Sequence, residues 1–412
     1  MNVAVVHPGT QHSWQTAYAL QQLGRLEFYA TSIFYQPDRW PYRIERYLPR
    51  SLGERLGREF RRFSHGGLNP DLVRTSGVWE WLERIARRQG YRDLAARLDR
   101  IGNRRIADDL ERMLGGPKPF ALWTYDNVAG NLFPTAKAHG RACILDRTIG
   151  DWRAYNEIMQ AVFEDYPEFF PKADFRMDQQ RIEQNQAEYE QADVILAGSP
   201  FSAETVAQHG GAAIAGKLRV LPYCYDELLF ADAPPRPPRP KNEPLRFLFA
   251  GQAGVRKGVH LALKAMERIA PEAASLTIVG DLQVPAQTYA RYAERVTHIP
   301  TVARRGMVDL MREADVLIFP TYFEGAGIVL YEALASGMGI IQSRNADIAV
   351  TADTGILMPD IAEEALYEAM MQAIENRDLV EQWRANAPAA AHRYSFANYR
   401  DNIAKLLGDM QL

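Results

Sequence analysis

Cysteine is nearly absent: only Cys143 and Cys224 occur in 412 residues, and neither sits in a Cys-x-x-Cys. This argues against a disulfide framework or a cysteine-based zinc site, and makes a reducing cytoplasm the expected setting. Long apolar runs are missing as well. None approaches the roughly 20 residues that a membrane span requires. The opening MNVAVVHPG has neither a basic region nor an extended apolar core. It reads as a first buried strand and not as a signal peptide. No Gly-x-Gly-x-x-Gly follows that strand, which argues against a dehydrogenase. No Asp-x-Asp triplet occurs anywhere, so no metal ligands are expected from such a motif.

What is present is ordinary for a globular chain: 47% hydrophobic, 24% charged, mean hydropathy −0.30. Its length implies at least two domains, since single cores seldom grow past about 250–300 residues. A net charge of −3 gives no reason to expect nucleic acid. The charge is unevenly spread. Arginines crowd the span from Arg39 to Arg105, among them Arg58, Arg61, Arg62, Arg84, Arg87, Arg88, Arg104 and Arg105, while lysines are few throughout. Two readings stay open: solvated helix faces in an arginine-preferring chain, or a basic face that meets anionic lipid or a lipid-phosphate acceptor. The run Ala233-Pro234-Pro235-Arg236-Pro237-Pro238-Arg239-Pro240 predicts an extended, semi-rigid linker and a domain boundary.

The most informative stretch runs from Ala314 to Ile341. Val316 to Phe319 reads as a short strand stopped by Pro320. Glu324-Gly325-Ala326-Gly327 reads as a glycine loop, Ile328 to Ala335 as a helix with Gly337 near its end, and Gly339 to Ile341 as the next buried strand. Such a βαβ unit presents backbone amides and a helix N-terminus at the strand's carboxyl end, where open α/β sheets bind anions. Glu332 lies roughly 7–8 Å along this helix at about 1.5 Å per residue. One ligand could meet Glu324, the helix start and Glu332 together, or Glu332 could be a solvated surface carboxylate.

A second glycine loop, Gly251-Gln252-Ala253-Gly254-Val255-Arg256-Lys257-Gly258, joins a strand from Leu245 to Ala250 to a helix ending near Ile269. Its spacing is not that of a P-loop, and Gly-Lys-Ser/Thr is missing. Two cations at a helix start oppose the helix dipole. A diphosphate would reconcile them: arginine offers a fork, lysine a point charge, and the loop amides hold oxygens.

In the first half, Val3 to Val6 leads through His7, Pro8, Gly9 and His12 into a helix from Ser13, its possible N-cap, to Leu23. Gly9 would let the backbone approach a ligand closely. Phe28 to Phe34 fits a second strand. Residues 36–115 read as a long helical insertion. Phe120 to Trp123 and Ala142 to Leu145 read as strands, the second ending at Asp146, Arg147 and Asp151. Ala192 to Leu196 is another strand, and Val296 to Val302 a strand and loop.

Glu324 and Glu332 are separated by seven residues, and a Gly-x-Gly directly follows the first. With ADVLIFP before and EALASGMGII after, the segment resembles the Glu-x7-Glu signature of retaining nucleotide-sugar glycosyltransferases of family 4. The resemblance is strongest from Leu245 to Pro359, weaker from Ala192 to Phe230, and thin across residues 36–140. It implies an α/β, GT-B fold of two Rossmann-like domains with an interdomain cleft. The expected layout is an acceptor domain (1–232) with its insertion (about 36–115), a linker (233–241), a nucleotide-sugar domain (242–391) and a terminal helix (392–412) returning to the first domain. It further implies transfer of a sugar from a nucleotide-diphosphate sugar to an acceptor hydroxyl with retention, in cell-surface polysaccharide or lipid-linked glycan synthesis. Glu324, Arg256 and Lys257 would be catalytic. Glu332, Gly325, Ala326, Gly327, Gly9, Gly251 and Ile299 would bind the donor, Ile299 on a loop against the base. Neither metal nor cofactor is expected. The partners would be the donor and a glycan or lipid-linked acceptor. The setting would be cytoplasmic, with peripheral contact at the inner membrane face as one reading. Two family features are missing. Gln252 stands where relatives carry arginine, and no histidine follows the strand ending at Leu145, where Asp146, Arg147 or Asp151 could substitute. An epimerase or phosphorylase of the same fold, or a non-catalytic sugar-nucleotide binder, is the alternative.

Overall fold

The computed structural model describes residues 1–8, 12–40, 42–61, 63, 65, 67–75, 78–230 and 239–412. Most of the proline-rich run therefore lies outside the described residues. The chain divides into two compact units. One comprises Met1–Asp146, Gln184–Leu196 and Arg400–Leu412; the other comprises Arg147–Glu183 and Ala197–Tyr399.

Two parallel sheets carry the fold. The first is built from β1 (Asn2–Val6), β2 (Leu26–Thr31), β3 (Val73–Thr75), β4 (Phe120–Tyr125), β5 (Cys143–Arg147), β6 (Val194–Ala197) and β7 (Leu218–Val220), in the order β3-β2-β1-β4-β5-β6-β7. The second is built from β8 (Leu245–Ala250), β9 (Ala274–Val279), β10 (Thr297–Ile299), β11 (Val316–Phe319), β12 (Gly339–Gln342) and β13 (Gly355–Leu357), in the order β10-β9-β8-β11-β12-β13. The inner strands, such as β1, β4, β6, β8 and β11, are near-continuous apolar runs because helices cover both faces of a parallel sheet. All four residues of β11 are buried. Helix Val259–Arg268 buries Val259, Leu261, Ala262, Leu263, Ala265 and Met266 in the second unit's core.

The elements differ from the sequence reading in informative places. Residues 36–115 are not all helical. They also supply β3, which pairs with β2 through Tyr29↔Val73 and Thr31↔Thr75. Three residues give too short a period-2 signal to stand out among helices. β2 ends at Thr31, short of the expected Phe34. Ser13 is not an N-cap. His12 holds that position, and the Ser13 hydroxyl hydrogen-bonds to Tyr29 Oη at 2.9 Å. β5 runs through Asp146 and Arg147, which are strand residues and not loop residues. The terminal helix, Phe396–Asp409, places Arg400–Leu412 in the first unit, where Arg400 donates to Gln22 Oε1 at 3.3 Å.

Candidate functional site

The order of the second sheet fixes where its site lies. From β8 the chain moves outward to β9 and β10, then returns to the opposite side of β8 as β11. The loops after β8 and β11 therefore leave adjacent strand ends in opposite directions, the arrangement in which open α/β sheets form a ligand crevice. The pairing Val316↔Phe247 and Leu317↔Leu248 puts Ala250 and Phe319 near the same level.

These two loops interlock. Gly258 is left-handed (φ 74°), and a Cβ there would fall 2.1 Å from the Pro320 carbonyl oxygen, so only glycine lets the loops meet. Tyr322 N donates to the Arg256 carbonyl at 2.9 Å, and Arg256 Nη1 donates to the Phe323 carbonyl at 2.6 Å. Arg256 and Lys257 lie in the loop ahead of the helix, as expected, and not in the helix's own first turn. They sit on a 3-10 turn, Val255–Lys257, and Gly258 separates them from helix Val259–Arg268. The turn aims both cations across at the neighbouring loop.

There they meet Glu324. Its Oε2 is 3.2 Å from Arg256 Nη1 and is ion-paired with Lys257 Nζ, while its Oε1 accepts from Gly325 N at 3.3 Å. All three side chains are largely buried: Lys257 is 13% exposed, Glu324 15% and Arg256 23%. Burial alone would raise the Glu324 carboxyl. The charges of Lys257 and Arg256 outweigh it and hold the group below its ordinary range. Burial, with Arg256 alongside, lowers the Lys257 ammonium, and Glu324 opposes that shift. The ammonium also lies 4.9 Å from the Phe319 ring centroid, a cation–π contact.

Backbone supports hold the loop in place. The Gly325 carbonyl accepts from the Ser199 hydroxyl, and a Cβ on Gly325 would fall 1.9 Å from the Thr148 carbonyl oxygen. The buried Ala326 accepts from Asp347 N at 2.9 Å; Asp347 in turn takes a 2.8 Å hydrogen bond from Tyr331 Oη. Gly327, left-handed at φ 89°, is the N-cap of helix Ile328–Ala335 and has no side chain to offer its first amides.

Glu332 lies on that helix and is half-buried, so it is not a solvated surface carboxylate. Burial pushes it up to about 7; Arg304 pulls it down and Asp226 pushes it up. Arg304 and Asp226 are themselves paired at 3.5 Å. An unfolded glutamate ionises near 4.5. Between pH 4.5 and 7 the native state keeps a proton that the unfolded chain has released, so stability falls as pH rises through that window. Glu332→Gln should therefore be the more stable protein at pH 8, by on the order of 1–3 kcal/mol, with the advantage gone at acidic pH. Thermal melts of both proteins across this range check the sign. A glutamine variant less stable at pH 8 would mean that Arg304 outweighs burial.

The remaining residues are less closely gathered. Gly251 (φ 126°) borders the ammonium: a Cβ there would lie 3.7 Å from Lys257 Nζ. Ile299 ends β10, two strands from β8, and its carbonyl accepts from Gly280 N at 2.9 Å. Gly9 lies outside the described residues. In the first unit, His7 and His12 flank the Tyr125 ring, with centroids 4.7 and 5.5 Å away. Burial, with His7 beside it, lowers His12 to about 3. The three stand-ins for the missing histidine are all buried and engaged. Asp146 accepts from Trp123 Nε1 at 3.2 Å, Arg147 donates to the Gly150 carbonyl at 2.7 Å, and Asp151 caps helix Trp152–Asp165 through Arg153 N at 2.8 Å. Asp226 and Arg304 were not singled out from sequence as companions of Glu332. The pairing of Asp226 with Arg304 spans 78 positions of chain, so no local pattern shows it.

Comparison with known proteins bears on the family and the fold. Residues 232–390 match the family model of the glycosyl transferases group 1. The chain is 29% identical over 163 residues to the phosphatidyl-myo-inositol mannosyltransferase of Mycobacterium tuberculosis, covering 37% of this chain and 43% of that one. It covers less than half the length of the curated relatives it matches. Among solved structures, sucrose-phosphate synthase from Thermosynechococcus elongatus superposes with a TM-score of 0.61 at 16% identity, covering 100% of this chain and 99% of that one. Anabaena HepE in complex with UDP-glucose gives 0.60 at 14%, covering 99% and 100%. These structures share the fold. Residues 232–390 are thus a glycosyl transferases group 1 domain, set in a chain of GT-B fold.

Proposed function

We propose that this protein transfers a sugar from a nucleotide-diphosphate sugar to an acceptor hydroxyl, with retention at the anomeric carbon. The observation that carries this reading is the convergence of Arg256 and Lys257 on Glu324 at adjacent strand ends, next to a glycine-capped helix start. A diphosphate suits those donors: a guanidinium fork, an ammonium and helix amides. As the bond from the anomeric carbon to the diphosphate breaks, negative charge gathers on the leaving oxygens, where preorganised cations act most strongly. Glu324 then orients the donor sugar through its hydroxyls, and Glu332 accepts from the ribose diol. The acceptor hydroxyl attacks on the face that the diphosphate leaves. A phosphate oxygen of the donor takes the hydroxyl proton as the new glycosidic bond forms.

The names of related proteins support a uridine diphosphate donor and a phosphorylated or lipid-linked acceptor. HepE was solved with UDP-glucose, and the mycobacterial relative is named for phosphatidyl-myo-inositol. We assign the acceptor to the first unit. A cavity of about 300 Å³ there is lined by Ala30, Thr75, Leu110 and Met113 with Arg74, Arg112 and Asp109, which is ion-paired with Arg112. Surface polysaccharide or lipid-linked glycan synthesis is the role this suggests, with the protein cytoplasmic and peripheral at the inner membrane face. No helix among the described residues is long and apolar enough to cross a membrane.

A thermal-shift panel of UDP-, GDP- and ADP-sugars, followed by product analysis with the donor that binds, tests the reading. A new glycosidic bond with retained configuration is expected. Hydrolysis, epimerisation or phosphorolysis alone would refute transfer. Because Arg256 and Lys257 supply the cationic charge, turnover should persist in a strong chelator. Activity lost on chelation and restored by magnesium would overturn the metal-free mechanism.

A further inference from the structure

The chain after Asp146 leaves the first unit. Residues 147–183 belong to the second, and they pack on the loop that carries Glu324. Gly325 has no room for a Cβ against the Thr148 carbonyl, and a Cβ on Gly150 would fall 2.7 Å from Phe323 Cζ. Helix Trp152–Asp165 starts at this contact. Asp151, its N-cap, donates its backbone N–H to the Thr205 hydroxyl at 3.0 Å. The first turn of the helix then lays two rings on the buried Phe323. Trp152 lies close to parallel with it, at 6.2 Å and 27°, and Tyr155 meets it edge to face at 5.4 Å and 72°. The two rings also meet each other, at 5.5 Å and 90°. Contacts of these geometries are the favoured ones for aromatic pairs and fix how each ring is turned.

Phe323 links these rings to the cations. Its carbonyl accepts from Arg256 Nη1 at 2.6 Å, and the next residue is Glu324. The charge of Arg256 reaches the Tyr155 phenol: burial raises the group, and the guanidinium draws it down. Burial prevails, so the phenol keeps its proton at neutral pH and serves as an O–H donor.

Two sets of donors are left unused here. A tyrosine hydroxyl drawn out of water ordinarily finds a partner, as Tyr29 does in Ser13 and Tyr331 in Asp347. Tyr155 is half-buried, and its hydroxyl makes no hydrogen bond among the described residues. Arg256 directs only Nη1 at the protein, to the Phe323 carbonyl and Glu324. Its Nε and Nη2 make no hydrogen bond among the described residues, and together they form one edge of the planar guanidinium. A guanidinium edge beside a phenol, with no protein acceptor for either, suits a group that has several oxygens and negative charge.

We propose that the Tyr155 hydroxyl donates a hydrogen bond to the sugar-bearing phosphate of the donor, the phosphate that the free edge of Arg256 holds. This deepens the diphosphate reading and rests on it. The sugar-bearing phosphate is the one assigned because Glu324, which orients the sugar in that reading, adjoins the same guanidinium. No proton is transferred. The phenol adds a further donor where charge gathers as the sugar departs.

Titration calorimetry with Tyr155→Phe tests this without an acceptor or turnover. Phenylalanine keeps both ring contacts and removes only the hydroxyl, so the thermal melt should not change. The probes are UDP against UMP, exchanged for GDP against GMP or ADP against AMP if the thermal-shift panel selects that base. Affinity for the diphosphate should fall by about ten-fold, and affinity for the monophosphate, which lacks the phosphate in question, should stay the same. Tyr166→Phe, at the far end of the helix, should alter neither. Unchanged diphosphate affinity in Tyr155→Phe would overturn the proposal. So would equal losses for the two nucleotides, or a matching loss in Tyr166→Phe, since either would mark a general disturbance of the helix. If the wild-type protein bound the diphosphate no more tightly than the monophosphate, the diphosphate reading itself would fail and this proposal with it.

Discussion

Lys257→Met should weaken binding of the donor sugar nucleotide by about ten- to a hundred-fold. The magnitude follows from the roughly 1.5–3 kcal/mol of a hydrogen bond to a charged group, and each 1.4 kcal/mol is a factor of ten. Methionine keeps the apolar stem and removes only the ammonium, so the loss reads charge and not a cavity. The site is well placed for a large effect. Lys257 is mostly removed from water, and the interlocked loops aim it before any ligand arrives. Calorimetric titration with the donor selected by thermal shift measures the change. Unchanged affinity would remove the diphosphate assignment of the loop after β8.

Glu324→Gln should separate binding from turnover. We expect kcat to fall by about a hundred-fold, within the range for loss of one preorganised electrostatic group. Donor affinity should stay constant or tighten, because the substitution takes a negative charge from beside Arg256 and Lys257. The opposite signs are the useful feature. If Glu324 only neutralised the two cations, the variant would bind donor more tightly and keep its turnover. If it orients the sugar in the transition state, kcat falls despite intact binding. Two largely buried cations lose their shared counter-charge in this variant, so its melting temperature should be read beside the kinetics. A fully active variant would leave Glu324 no part in the reaction.

Much of the site was legible locally. Pro320 after an apolar tetrad, glycines at 325 and 327, and the helical run after them are short-range signals, and the expected strand, loop and helix are found there. The loop from Gly251 to Gly258 was legible for the same reason. Less local features were missed. β3 is only three residues long and owes its existence to pairing with β2. Arg256 and Lys257 lie in the loop ahead of the helix as expected, but that they turn toward Pro320 could not be read, because it depends on a left-handed Gly258 clearing the Pro320 carbonyl. Asp146 and Arg147 were expected in a loop, yet both belong to β5 and are buried.

By itself the sequence determined that this is an α/β chain with two strand–glycine-loop–helix units in its second half, two adjacent cations on one loop and two carboxylates seven residues apart on the other. Propensity, periodicity and turn chemistry act over a few residues, so a few residues suffice to read them. Only the tertiary structure decided that the two loops are neighbours. The strand order β10-β9-β8-β11-β12-β13 brings Glu324 to Arg256 and Lys257 across nearly seventy positions of chain. It likewise decided that Glu332 is half-buried beside the Arg304–Asp226 pair. Sheet order, burial and charge pairing arise from packing distant segments together, and no local pattern records them.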